Sequence, residues 1–289
     1  MIKLLTLDLD GTLLDSRGKV PEANRAAIRA AEAKGVLVTI ATGRRFWDAR
    51  PIGLELGLNA PLITHNGALL KYADTLENVA FSVLTESVAA EILRAGKAAG
   101  GNALVSADPH GKGTLFYDRV SADNVPLQRY IEWANRLHGE DAGAVRRVGD
   151  LAEIVGSHEI IHISFSGTCA SMAEMEVFLS GELGDTVTIL STIYPRLDFT
   201  LIDILPADAS KGGGTEKLAR LEGIMPDEVM SIGDNFNDLE MLEFAGTAVV
   251  MGNADPGLLE REEFYTTVSN DECGVAAAIE RFILNEENP

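Results

Sequence analysis

With 289 residues, 46% hydrophobic and 24% charged, the chain has room for one large or two moderate domains and a globular rather than disordered composition. Its 44 Asp and Glu against 24 Lys and Arg give a formal net charge of -20, which argues against nucleic acid as a partner because phosphate-backbone binding needs clustered cations. The same acidity repels phosphorylated ligands at long range, so any phosphate site must bring its own positive charge or metal.

The only cysteines, Cys169 and Cys273, form neither a CxxC pair nor a disulfide framework. No stretch approaches the roughly 18 apolar residues that span a bilayer, and the opening MIKLLTLDLD is too short and too acidic for a cleaved leader. The expectation is a cytoplasmic protein without a membrane partner. Nothing in the sequence sets an oligomeric state.

Short β-rich runs alternate with helical patterns from the start. Ile2 to Asp8 predicts a strand, Pro21 to Lys34 a helix, Val36 to Ala41 a strand and Pro61 to Thr64 another, the rhythm of a parallel α/β sheet. Asn66-Gly67 is a strong turn dipeptide, followed by an extended Ala68 to Tyr72. Between Val83 and Leu190 the rhythm changes. Helices are predicted at Ser87 to Ala99, Asn124 to Leu137 and Ser171 to Leu183, with strands at Ala103 to Ala107, Thr114 to Tyr117, Ile160 to Phe165 and Thr186 to Leu190. The first style then returns, with helix Lys211 to Leu221, strand Val229 to Ile232, helix Asp238 to Phe244, strand Ala248 to Met251 and an amphipathic helix Val275 to Leu284. The predicted fold is α/β: a Rossmann-like parallel-sheet core from residues 1–82 and 191–289, with an inserted α/β domain at 83–190 whose sheet is partly antiparallel.

The sharpest chemical signal is Asp8-Leu9-Asp10-Gly11-Thr12, where the first strand runs out into a glycine turn. Ligands of open α/β sheets bind beyond the carboxyl ends of strands. Two acids there can divide labour, one attacking phosphorus and the other moving the proton of the leaving oxygen and of water. An EF-hand is excluded, because loop position six is Leu13 rather than Gly and position twelve is Lys19 rather than Glu. Thr42-Gly43-Arg44 also follows a strand; its hydroxyl and backbone N–H groups suit phosphoryl oxygens, although alone it better describes a turn with a helix cap. Lys211 opens Lys211-Gly212-Gly213-Gly214-Thr215 before a helix. Its charge would offset a nucleophile and a phosphoryl group, and alone it reads as a solvated lysine. Gly233-Asp234-Asn235-Phe236-Asn237-Asp238 supplies hard oxygen ligands that suit Mg2+ at another strand end, while Asp238 also suits a helix cap.

Together these four segments, in this order, resemble the four motifs of the haloacid dehalogenase (HAD) superfamily, and the large insertion between the second and third resembles the cap of its Cof-like branch. Asn66-Gly67-Ala68 and Met251-Gly252-Asn253-Ala254 are similar to further recurring segments there. The resemblance implies Asp8 as nucleophile, Asp10 as general acid/base, Thr42 as phosphate hydrogen-bond donor and Lys211 as the phosphate-side cation. It implies Mg2+ held by Asp8, the backbone carbonyl of Asp10 and Asp234, with Asn237 and Asp238 supporting the metal and Lys211. Gly43, Arg44, Asn66 and Asn237 are the substrate-side candidates, and Asp238 completes the candidate metal set. The glycines after Lys211 depart from the usual helix formers and leave the helix start open.

His65, His110, His138, His158 and His162 show no metal-binding spacing and read as structural or solvated, with His65 set apart because it precedes Asn66. Arg44 and Arg45 either reach a substrate or lie on a surface helix. The expected function is a phosphatase for small phosphorylated metabolites, sugar phosphates or similar. A phosphomutase of the same superfamily is the alternative within enzymes. A phospho-receiver signalling module is the alternative from another class, disfavoured by Asp10 beside the nucleophile.

Overall fold

The computed structural model describes residues 1–138 and 144–285; the side chain of His138 lies outside the described residues. The chain forms two compact units, one from Met1–Arg44, Ala49–Thr75 and the chain from Ser210 onward, the other from Arg45–Asp48 and Leu76–Ala209. No helix among the described residues is long and apolar enough to cross a membrane.

The first unit opens with β1 (Leu4–Leu7), buried at every position as a strand covered on both faces must be. Helix α1 (Glu22–Ala33) buries Asn24, Ala27, Ile28 and Ala31, one stripe at helical spacing. After β2 (Leu37–Ile40) comes α2 (Phe46–Leu56), a helix whose bounds the residue pattern leaves open because Pro51 in its interior removes an N–H and disturbs the helical pattern. Strands β3 (Leu62–Thr64) and β4 (Leu69–Lys71) form an antiparallel hairpin about the His65–Gly67 turn, where Asn66-Gly67 predicted it.

The second unit contains β5 (Asn78–Phe81), α3 (Glu86–Ala98), β6 (Asn102–Ala107), β7 (Thr114–Tyr117), α4 (Val125–His138), β8 (Val145–Arg147), β9 (Ile160–Gly167), α5 (Cys169–Leu183), β10 (Val187–Tyr194) and β11 (Phe199–Pro206). Its six-stranded sheet runs β10-β11-β9-β6-β7-β8, antiparallel except for β7 with β8. Val105, Ile163, Phe165, Ile202 and Ile204 pack with Ile92, Leu93, Met175 and Leu179 of α3 and α5 in one apolar core. The boundary expected at 190/191 falls inside β10, and the unit runs on to Ala209. Two features hid this. Polar Ser191 and Thr192 interrupt the apolar run of β10, and Asp203 interrupts β11, where its carboxylate is satisfied by the Ser164 hydroxyl at 2.5 Å.

The chain returns to the first unit with α6 (Lys211–Leu221), β12 (Val229–Gly233), α7 (Leu239–Phe244), β13 (Thr247–Val250), α8 (Pro256–Leu259), β14 (Tyr265–Thr266) and α9 (Gly274–Ile279). The expected single terminal helix from Val275 to Leu284 instead changes to a wider π-type turn at Glu280–Leu284. The parallel sheet runs β14-β13-β12-β1-β2, and Leu7 is in register with both Ile232 and Ile40. Parallel strands in this register bring Asp8, Thr42 and Asp234 to one edge of the sheet, on either side of the first strand, where α/β sheets bind ligands.

Candidate active site

Asp8 continues β1 and is buried. Its Oδ1 accepts from Lys211 Nζ at 2.6 Å, and the same ammonium donates to Asp238 Oδ1 at 2.5 Å. Lys211 is the first residue of α6. Ser210 caps that helix, its Oγ accepting from Gly213 N, which fixes the start that the sequence left open. The glycines follow from close packing: a Cβ on Gly212 would lie 2.5 Å from Glu240 Cβ, and one on Gly214 2.5 Å from Ile63 Cγ2. Helix propensity is lost at these two positions, and in return Lys211 sits deep beside Asp8.

Asp238 is fully buried and uses both oxygens, with Oδ2 accepting the backbone N–H groups of Asp234 and Asn235 at 3.0 Å. It shapes the loop after β12 and anchors Lys211. Asp234 Oδ1 accepts from the buried Thr12 hydroxyl at 3.0 Å. Gly11 turns at φ +87, and a Cβ there would lie 2.3 Å from Asp234 Oδ2; only glycine lets the loop after β1 press so closely on this carboxylate. One carboxylate oxygen each from Asp8, Asp234 and Asp238 lie within 4.8 Å of one another. This hard-oxygen set can hold a divalent cation of the Mg2+ type.

Burial, and after it Asp238, holds the Asp8 carboxyl well above the usual range, with Lys211 pulling it down and Asp234 pushing it up. Asp234 is pushed up to about 6 by burial and by Asp238, against the Thr12 hydrogen bond. Burial alone would lower the Lys211 ammonium, but Asp238 and Asp8 outweigh it and raise it. The ammonium is therefore fixed as a cation, while carboxylates crowded without a cation resist ionisation.

Thr42 is buried, and its Oγ1 accepts from Arg44 N at 3.1 Å, which leaves the hydroxyl proton for another acceptor. Backbone bonds tie this loop to the next: His65 N donates to Arg44 O and Asn66 N to Thr42 O. His65 and Asn66 both adopt left-handed backbone, an uncommon pairing for residues other than glycine. Asn66 is buried, its Oδ1 has no hydrogen-bond partner among the described residues, and its amide lies 3.1 Å from where a Gly43 Cβ would stand. The Asp10 carboxylate lies outside the three-acid group and takes both Arg44 Nη2 (2.6 Å) and Arg44 Nε (2.8 Å). Asn237 is exposed on the turn after Asp234.

Arg45 has no place among these residues. It lies in the second unit, buried, with Nε and Nη2 on Asp48 at 2.9 and 2.8 Å and Nε also on the Tyr130 hydroxyl at 2.9 Å. This corrects the alternative that it lies on a surface helix. His158 pairs with Asp108 at 2.9 Å, and His162 lies 3.7 Å from Asp203. Sequence reasoning missed Thr12 as a ligand-holding residue and also Asn253, whose Nδ2 donates to Gly11 O at 2.8 Å and whose Oδ1 accepts from Asn270 N at 2.8 Å. The Met251-Gly252-Asn253-Ala254 segment was the one signal for the latter.

Residues 5–279 match the family model of haloacid dehalogenase-like hydrolases. The chain belongs to this family. This HAD-like hydrolase is 29% identical over 304 residues to the 5-amino-6-(5-phospho-D-ribitylamino)uracil phosphatase YwtE of Bacillus subtilis, covering 99% of each chain. It is 30% identical over 262 residues to the HMP-PP phosphatase of Cronobacter sakazakii, covering 90% of this chain and 87% of that one. A crystal structure of a haloacid dehalogenase-like hydrolase from Bacteroides thetaiotaomicron superposes with a TM-score of 0.79 at 25% identity, covering 97% and 99% of the two chains. The HAD-like protein is a phosphatase of the Cof-like type, with the parallel-sheet core and separate second sheet of that fold.

Proposed function

We propose that this chain is a cytoplasmic, Mg2+-dependent phosphatase that hydrolyses small phosphorylated metabolites, sugar phosphates or similar compounds, through a phosphoryl group carried on Asp8. The observation that carries this is Lys211 Nζ held 2.6 Å from Asp8 Oδ1 in a buried site shared with Asp234 and Asp238. A carboxylate approaching a phosphoryl dianion meets repulsion, and a fixed ammonium in a water-poor site offsets it. A bound Mg2+ would add charge neutralisation and polarisation of the phosphoryl oxygens. Asp8, the Asp10 carbonyl and Asp234 would hold it, with Asp238 behind them fixing Lys211 and the loop.

Asp8 attacks phosphorus, the bond to the leaving oxygen breaks, and Asp10 gives that oxygen a proton. Asp10 then takes a proton from the water that attacks the aspartyl-phosphate, which releases inorganic phosphate and restores Asp8. The Thr42 hydroxyl, the Gly43 backbone, Arg44, Asn66 and Asn237 serve the substrate side. The inserted second unit selects the leaving group. The named relatives support the substrate class, since their phosphorylated substrates are small molecules with different leaving groups.

Purified protein assayed against a panel of phosphorylated metabolites should release free phosphate, lose this activity with EDTA and regain it with Mg2+. Full activity after exhaustive chelation would contradict the metal role. An isomeric phosphate ester formed without free phosphate would make the chain a mutase.

A further inference from the structure

The two-point contact of Arg44 with Asp10 is a pairing in the site that the proposed chemistry does not explain. Arg44 meets the carboxylate with two N–H groups, Nη2 to Oδ1 at 2.6 Å and Nε to Oδ2 at 2.8 Å, the two-point geometry by which a guanidinium recognises a carboxylate. In this pose each Asp10 oxygen already accepts an N–H of Arg44, so the side chain proposed as acid/base is engaged by the guanidinium. The pair is also partly open to solvent, with the Arg44 side chain 29% and the Asp10 side chain 57% exposed. Exposed pairs are weak and easily exchanged.

What would draw the guanidinium away is a stronger anion of matching geometry. A phosphoryl group offers the same two-point acceptance with more charge. The placement suits the exchange. Asp10 is two residues from Asp8, and Arg44 belongs to the same loop as Thr42, whose hydroxyl its backbone N–H contacts.

We propose that Arg44 is a positioning residue for Asp10: it holds the acid/base carboxylate by both oxygens and passes to the phosphoryl group when substrate arrives, so that phosphate binding and release of Asp10 are one event. This rests on the phosphatase reading and deepens it by coupling recognition of the phosphate to the freeing of the Asp10 carboxylate.

The test is a double-mutant cycle on inorganic phosphate binding, measured by titration calorimetry with Mg2+ present, for wild type, Arg44→Ala, Asp10→Ala and the double variant. Arg44→Ala should weaken phosphate binding about tenfold or more, the scale of a lost charged hydrogen-bonding pair. Asp10→Ala should tighten it severalfold, because the competitor for Arg44 is gone, and that gain should vanish when Arg44 is also Ala. Kinetics give a second readout: Asp10 is freed whether Arg44 leaves it for phosphate or is absent, so Arg44→Ala should raise KM for an alkyl and a nitrophenyl phosphate alike while the ratio of their kcat values stays that of the wild type. Arg44→Lys, which keeps the charge but cannot pair at two points, should recover phosphate affinity only in part. If the gain from Asp10→Ala persists in the double variant, simple repulsion explains it and the exchange is overturned. A loss of kcat confined to the alkyl ester would overturn it too, because Arg44 would then be needed to place Asp10 in the loaded site. A wild-type protein that neither binds phosphate nor turns over the nitrophenyl ester would instead overturn the phosphatase reading itself.

Discussion

Each of the two units buries a knot of charge, and the two knots differ in balance. In the second unit Arg45 is matched by the single carboxylate of Asp48, and Tyr130 completes the set by donating to Asp48 Oδ2 at 2.8 Å while accepting from Arg45. In the first unit three carboxylates, Asp8, Asp234 and Asp238, face one ammonium, Lys211. A matched buried pair is self-sufficient, and removing one partner costs stability. An unmatched one is unfavourable unless something arrives to complete it, and pKa values displaced in this way mark functional sites. The difference teaches that the surplus of charge, rather than its burial, separates the candidate site from a structural network of similar depth.

The comparison can be broken by removing the cation from each knot. Lys211→Ala should cost on the order of 100- to 1,000-fold or more in kcat on an aryl phosphate, because the charge acts where negative charge gathers in the transition state; turnover at the wild-type rate would remove Lys211 from the chemistry. Arg45→Met should do the opposite. It removes the cation paired with the buried Asp48, which costs about 3–5 kcal/mol of stability, while the fraction that remains folded keeps its turnover. A denaturant titration paired with the same assay separates the two effects. A large loss of kcat without a loss of stability would place Arg45 with the catalytic residues after all.

The smallest expected effect lies one layer out. Asn253 fixes the Gly11 carbonyl and is itself fixed by Asn270, so Asn253→Ala should loosen the turn that presses on Asp234. Outer residues that orient ligands typically matter by about 10–100-fold in metal affinity, and the lower end is expected for a contact made through backbone. Mg2+ titration calorimetry measures it, and an unchanged dissociation constant would limit Asn253 to a packing role.

Much of this site was legible because its chemistry is local. Asp8, Asp10, Thr42, Lys211 and Asp234 each stand at the end of a strand or the start of a helix that the residue pattern already indicates, and a parallel sheet brings such positions together. What stayed hidden depends on partners far away in the chain. The glycines after Lys211 make sense only once Glu240 and Ile63 are seen against them, and Asn253 meets Gly11 across 242 positions. Arg44 meets Asp10 across 34. In the fold, α2 was masked by Pro51 and β11 by Asp203, in each case a residue that opposes its element and is accommodated by tertiary context.

The most direct test of the covalent mechanism is a rapid quench of Asp10→Asn protein with a nitrophenyl phosphate, followed by mass spectrometry of the peptide containing Asp8. An ester with a good leaving group needs little protonation to form the aspartyl-phosphate, whereas its hydrolysis lacks the base, so the intermediate should accumulate. The expected result is a burst of nitrophenol with phosphate on Asp8 and none in the Asp8→Asn protein. Phosphate on any other residue, or an Asp8→Asn protein with unchanged turnover, would contradict it.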